Sequence, residues 1–356
     1  MVAVVIIAVV ASAYHPGSSN PTSPTGVSNL PTKFTHWTDP QEGSFSVLLP
    51  DGWTAKGGIQ RPDAVDWGFW LDATDSGGSM SVFFALPVYP RFLVPQQAAS
   101  VFCPTAQGSL CNLNQVENIP GTALPTYYVY SYMTGPDFAR TLLWSSLTSL
   151  GFVKADASNP QVTASSDTAQ RFAFAIGGGS YSGAAASIVY SSGGSSYKVE
   201  ADVGLNNLCV LSACFWSAAL SGASARQQDF NTVADIYQLV IMPTFRINPQ
   251  WFLSQIQNGG TQSSMISQFS SQMRQLNYNA FKTQESTIQA GQGWVNALGG
   301  VMNMKDPSGT EYTVPSTIPD ANHWWVSGAG STIVWTRDSN GPSGYQQLTP
   351  ANPSAT

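Results

Sequence analysis

Two runs of strict alternation limit what this chain can fold into. Val65, Trp67, Phe69 and Leu71 are apolar at every second position, and Met80, Val82, Phe84 and Leu86 repeat the pattern after Asp75-Ser-Gly-Gly78. A period of two sends successive side chains to opposite faces of a strand. An Asp/Gly cluster between two such runs is a hairpin turn. Phe45–Pro50 precedes them as a shorter strand, closed by Pro50-Asp-Gly52 before Trp53. Residues 44–87 therefore read as an antiparallel meander with one buried face.

The rest of the chain mixes strands with helices. Residues 95–125 form a looped insertion, and 127–132 is a short strand. Pro136-Asp137 opens a helix that turns Phe138, Leu142, Leu143, Leu147 and Leu150 inward. Strands follow at 171–176, 184–190, 196–203 and 215–220. The next helix is expected over 228–241, with Phe230, Val233, Ala234, Tyr237 and Ile241 on one face and Asp229 near its cap. Pro243 ends it. A helical segment over 249–291 carries Ile266, Phe269, Met273 and Leu276 as a two-heptad apolar stripe on a Ser/Gln surface. Two heptads are too few for a lone coiled coil. The stripe must dock, either on its own domain or on another subunit, which makes it a candidate assembly surface. Residues 292–350 read as a small Trp-rich β-meander module with a tail at 351–356.

Charge decides the compartment. Only 10% of the 356 residues are charged, against about 25% in a typical soluble domain. Lys and Arg total 14, Asp and Glu 20, and the cations are scattered singly. Phosphate backbones require clustered cations, so nucleic acid is excluded as a partner. A polar, uncharged surface suits an extracytoplasmic protein. Residues 2–10 are uninterruptedly apolar and lead into Ala11-Ser-Ala13. That is the length of a signal-peptide apolar region and too short to span a bilayer, so 1–13 reads as a signal peptide or the remnant of a membrane anchor. Residues 14–33 are a Pro/Ser/Thr linker. The four cysteines form two close pairs, Cys103/Cys111 and Cys209/Cys214. An even count in an exported chain reads as disulfides, and of the three connectivities the two local bridges are favoured. Neither pair has the C-x-x-C spacing or the nearby histidine of a metal site, and no pattern calls for a cofactor.

The stretch Phe34-Thr-His-Trp-Thr-Asp-Pro-Gln-Glu-Gly43-Ser-Phe45, running into a strand that ends Pro50-Asp-Gly-Trp53, resembles the entry motif of PsbP-like domains. Thr244-Phe245-Arg246 after the 228–241 helix is similar to the tail of that family's closing helix. The resemblance covers residues 34–248. It implies an α+β fold in which helices flank an antiparallel sheet as an α/β/α sandwich, followed here by the long amphipathic helix and the C-terminal meander. For function it implies an extracytoplasmic accessory domain and no particular chemistry.

Catalytic patterns are weak. Of the histidines, His15 lies in the linker, His36 beside Trp37 and Asp39, and His323 beside Trp324. Ser180 sits in Gly177-Gly-Gly-Ser-Tyr-Ser-Gly183, which lacks the glycine that a nucleophile elbow needs at 182. Asp63, Asp66, Asp72 and Asp75 cluster near Trp67 and Trp70, a pairing of carboxylates with stacking rings that a glycoside-directed site would use. Asp338-Ser-Asn-Gly341 lacks the closing Glu of a calcium loop. The best binding candidate is aromatic: Trp294, Tyr312, Trp324, Trp325 and Trp335. Trp324 and Trp325 are consecutive, so on a strand one enters the core, and the other is either exposed for a saccharide or partner or covered by a neighbour. The sequence thus favours a non-enzymatic, secreted or membrane-anchored surface protein that binds other envelope or extracellular proteins or itself. A carbohydrate-binding protein or hydrolase using residues 63–75 is the alternative, and a subunit of an extracellular filament or surface layer is the third.

Overall fold

In a computed structural model, residues 30–61, 67–112, 126–167, 180–210, 213–248, 250, 251, 254, 255, 301–316, 318 and 321–351 are described. The N-terminal apolar run, most of the linker, the strand expected at 171–176, Asp63 and Asp66, the stripe Ile266, Phe269, Met273 and Leu276, and Trp294 lie outside them.

The fold is α+β and dominated by antiparallel sheets. β1 (Lys33–Thr38) and β2 (Phe45–Pro50) form a hairpin. β3 (Thr54–Gln60), β4 (Gly68–Thr74) and β5 (Met80–Leu86) form a meander, but β2, expected to belong to it, pairs with β1 in another sheet and β3 takes its place. β6 (Arg91–Leu93), α1 (Pro95–Ser100), β7 (Leu110–Asn112) and β8 (Thr126–Val129) make up the insertion. Two short helices, α2 (Gly135–Thr141) and α3 (Leu143–Ser149), precede β9 (Ser158–Asp167), β10 (Ser180–Ser192), β11 (Ser195–Val210) and β12 (Ala213–Arg226). Then come α4 (Phe230–Ile236), a π-helical turn (Tyr237–Ile241), α5 (Met242–Thr244) and β13 (Arg246–Ile247). The C-terminal strands are β14 (Val301–Lys305), β15 (Glu311–Pro315), β16 (His323–Ser327), β17 (Thr332–Thr336), β18 (Tyr345–Gln347) and β19 (Thr349–Pro350).

The large sheet runs β3-β4-β5-β12-β11-β10-β9, with β6, β7 and β8 attached at β12. Its meander buries both faces, not the single face expected. Val82, Phe84 and Leu86 enter one core, while Phe83 and Ala85 enter the other. α2 and α3 cover the second core with Phe138, Leu143 and Leu147. Thr134 caps α2, its hydroxyl accepting from the Asp137 amide at 3.3 Å.

The first core is closed by α4, the π-helical turn and a second sheet, ordered β13-β2-β1-β17-β16-β18. One outer layer is therefore largely β, which departs from a plain α/β/α sandwich. Of the strands in 292–350, β14, β15 and β19 pair only with one another as a separate three-stranded sheet, whereas β16, β17 and β18 belong to the second sheet. β17 pairs with β1 through Phe34 opposite Ile333, so the second sheet joins both ends of the described chain. Trp324, Val326, Ile333, Trp335 and Leu348 share one core with Phe34, Phe45 and Phe84.

The motif from Asp39 to Ser44 has a physical role. The buried Asp39 carboxylate accepts from the Ser44 hydroxyl at 2.6 Å, the Ser44 amide at 3.3 Å and the Gln41 amide at 3.0 Å. It thereby fixes the turn that delivers Phe45 to the core, where its ring meets those of Phe69, Phe84 and Phe245 at 5.3–5.6 Å.

Candidate functional site

Of the aromatic residues singled out in the sequence, the four that are described, Tyr312, Trp324, Trp325 and Trp335, are buried or half-buried. Trp324 lies opposite Trp335 across β16 and β17, and both are buried. Trp335 donates to the Pro31 carbonyl at 3.0 Å. Trp325 faces the other side, and a neighbour covers it. Its indole donates to Thr336 Oγ1 at 2.9 Å, and the 338–344 loop lies on its ring so closely that a Cβ on Gly341 would fall 2.4 Å from ring carbons. Only 8% of Trp325 is exposed, so no stacking face is offered there. Tyr312 is half-buried and donates to Asp306 Oδ2 at 3.2 Å.

Of the acidic cluster, only Asp72 and Asp75 are among the described residues, and the local structure accounts for each. Trp67 is buried edge-on against Trp251 and Phe69, with centroids at 4.9 and 5.4 Å. Asp72 is on β4 opposite Lys56, and burial pushes its carboxyl above the usual range. Asp75 holds the β4–β5 turn by accepting from the Met80 amide at 2.7 Å. Asp338 likewise accepts from the Asn340 amide at 3.0 Å. His36 lies on β1 opposite Leu48. His323 Nδ1 is 3.2 Å from Gln347 Nε2. Ser180 begins β10 opposite Asn207.

A concave site forms elsewhere. On β11, Lys198, Glu200 and Asp202 alternate with the buried Val199, Ala201 and Val203. The polar set faces the side that α4 and the π-helical turn only partly cover. A cleft of about 260 Å³ opens there, lined by Ser187, Glu200, Asp202, Phe230, Tyr237 and Gln238. The cross-strand register sets Ala185, Asp202 and Ser221 side by side on β10, β11 and β12. The Tyr237 hydroxyl donates to Ser221 Oγ at 2.9 Å and approaches Asp202 Oδ2 at 3.3 Å. Burial first, and then the Asp202 charge, push the Tyr237 phenol well above its ordinary range. It therefore stays protonated as a fixed donor. Glu200 pairs with Lys198 at 2.6 Å, and the Lys198 ammonium sits 4.3 Å from the Phe230 ring centroid. The cleft thus presents carboxylate and hydroxyl acceptors over a floor of alanines, and no histidine lines it. Sequence reasoning placed Tyr237 on an inward helix face but missed the cleft. The signal was the polar alternation of Lys198, Glu200 and Asp202, which marks a strand face left partly wet.

One of the two expected bridges lies among the fully described side chains: Cys103–Cys111, with Cα atoms 5.3 Å apart. The backbone register sets Cys209 directly opposite Cys214 where β11 meets β12. Among the described residues no helix is long and apolar enough to cross a membrane. No model of a known protein family matches the chain, and no curated protein matches it.

Proposed function

We propose that this chain is a non-enzymatic extracytoplasmic accessory protein, secreted or held at the outer face of a membrane, that binds a protein partner or a second copy of itself. The observation that carries the reading is the Cys103–Cys111 bridge. Reducing compartments keep such thiols apart, and small loop staples of this kind belong to oxidising ones. The paucity of charge and the turn built on Asp39, which suits a PsbP-like entry segment, support the same reading. So does the use of Asp75, Asp306 and Asp338 as turn acceptors. The test is a disulfide map of protein from its own host, with free thiols alkylated before digestion and without reduction. Linked Cys103–Cys111 and Cys209–Cys214 peptides in an extracytoplasmic fraction are expected. Four alkylated cysteines in the cell interior would refute the reading. Sedimentation velocity across a concentration series separates self-association, including a filament or surface-layer subunit, from a monomer that needs another partner.

The cleft favours a second reading, saccharide binding. Glu200 and Asp202 are two positions apart on one strand face, so their Cα atoms are about 6.5–7 Å apart, and sugar hydroxyls donate readily to such acceptors. Titration with soluble oligosaccharides, wild type against Asp202→Asn, tests it. Equal, featureless heats for both would eliminate it.

A further inference from the structure

Among the described residues, two of the three large exposed apolar side chains flank one disulfide. Phe102 is 90% exposed and Leu110 is 53% exposed. Each immediately precedes a cysteine of the 103–111 bridge. With those Cα atoms 5.3 Å apart, Phe102 and Leu110 are within about 13 Å of each other, Cα to Cα. The third large exposed apolar residue among those described, Val162, is on the edge strand β9.

The fold holds this tip out firmly. Phe102 has φ 56°, in the left-handed region that bulky side chains seldom occupy. Its amide donates to the Ala99 carbonyl and that of Cys103 to the Ala98 carbonyl. At the base, β6 pairs with both β12 and β8, and the rings of Phe92 and Trp216 stack with centroids 3.9 Å apart. Trp216 also donates to the Tyr130 carbonyl at 2.9 Å.

We infer that this disulfide-closed tip is a membrane-contact element that places Phe102 and Leu110 in the interfacial layer of a lipid bilayer. Three observations favour lipid over a protein partner. From residue 92 to residue 116 the chain contains no Asp, Glu, Lys, Arg or His, so insertion desolvates no charge, and nothing there would steer a charged partner. Much of the tip's backbone is paired within the chain. Besides the two amides above, Gly108 donates to the Val129 carbonyl, Ser109 to that of Ala106, and Val129 to that of Ser109. Any part of the tip that passes below the headgroups would need this, whereas a water-exposed loop would not. Lastly, the apolar groups protrude, which suits a yielding surface. A chain of net charge −6 gains nothing from anionic headgroups, so contact should be with neutral lipid and insensitive to salt. The inference deepens the extracytoplasmic reading and rests on it only through the bridge.

The test is local to the tip. The oxidised full-length chain carries 4-fluorophenylalanine at position 102 and is mixed with phosphatidylcholine vesicles, with and without a doxyl-labelled lipid. The fluorine resonance is expected to be broadened by the doxyl lipid and shielded from a water-soluble paramagnetic chelate. Leu110→Glu should weaken this vesicle-dependent shielding roughly tenfold in lipid concentration. A resonance open to the chelate and untouched by the doxyl lipid overturns the proposal. So does shielding that develops without vesicles as protein concentration rises, which would assign the tip to a second copy. Because oxidised protein is used, a chain found reduced in its host would refute the compartment without deciding the tip.

Discussion

Removing the Cys103–Cys111 bridge tests how far the insertion shares in the fold. The bridge closes a loop with a sequence separation of 8. Loop-closure entropy for that length contributes about 2.5 kcal/mol at 25 °C, through the unfolded state alone. The variant is Cys103→Ala/Cys111→Ala, because both positions are buried and a serine hydroxyl would bring its own desolvation cost. The expected fall in Tm is about 5 °C, the lower end of what such a loss gives a cooperative unit of 150–250 residues. Thermal unfolding followed by circular dichroism and by calorimetry reads it, with reduced wild type as the control for lost sulfur packing. The two cysteine positions should unfold with the large sheet, to which β6 and Trp216 tie them. A Tm within about 1 °C of wild type would mean that the insertion melts separately, and the argument would fail.

Three further outcomes follow from the same geometry. Trp216→Ala removes a fully buried ring stacked on Phe92 and should cost about 3–5 kcal/mol in denaturant unfolding, against well under half that for a surface tryptophan. Tyr237 has its phenol raised in the folded state, so the stability it contributes is fully present below about pH 10 and is lost as pH climbs beyond that. Tyr237→Phe should therefore cost about 1 kcal/mol at pH 8 and lessen the decline between pH 10 and 11, measured by urea unfolding at each pH. Glu42 is pushed up by burial, but hydrogen bonds from Arg61 and Trp251 outweigh this and hold its carboxyl below the usual range. Its contribution is present above about pH 4.5 and is lost on acidification. Glu42→Gln should be less stable at pH 7 and show a shallower acid limb, and an unchanged limb would contradict the assigned partners.

What was legible in the sequence was local and periodic. β4 and β5 appeared because Phe69, Leu71, Val82, Phe84 and Leu86 alternate, and the 228–241 helix because Phe230, Val233, Tyr237 and Ile241 share a face. β3 did not appear, because Thr54-Ala-Lys-Gly-Gly-Ile-Gln60 carries no apolar alternation. In the sheet, Gly57 is wanted for clearance: a Cβ there would lie 2.8 Å from the Trp70 carbonyl oxygen and 3.0 Å from the Trp37 ring. β9 was invisible for another reason. Ser158–Asp167 is an edge strand held by backbone pairing to β10, and its most apolar residue, Val162, is 43% exposed. The four strands β10 to β12 and β9 are also joined in a register that no local pattern encodes. The cleft was missed because its groups come from three strands and a helix. The covering of Trp325 depends on the absence of a side chain at Gly341, which reads in sequence only as a turn.

The pairing of β1 with β17 sets an order on biogenesis. Phe34 reaches its partner Ile333 only after roughly 300 further residues have been made, so the second sheet cannot close while the chain is still emerging. Until then one side of β1 offers unpaired amides and carbonyls to any passing strand. A polypeptide ending before residue 332 would leave that side bare for good, and such truncations should accumulate as aggregates.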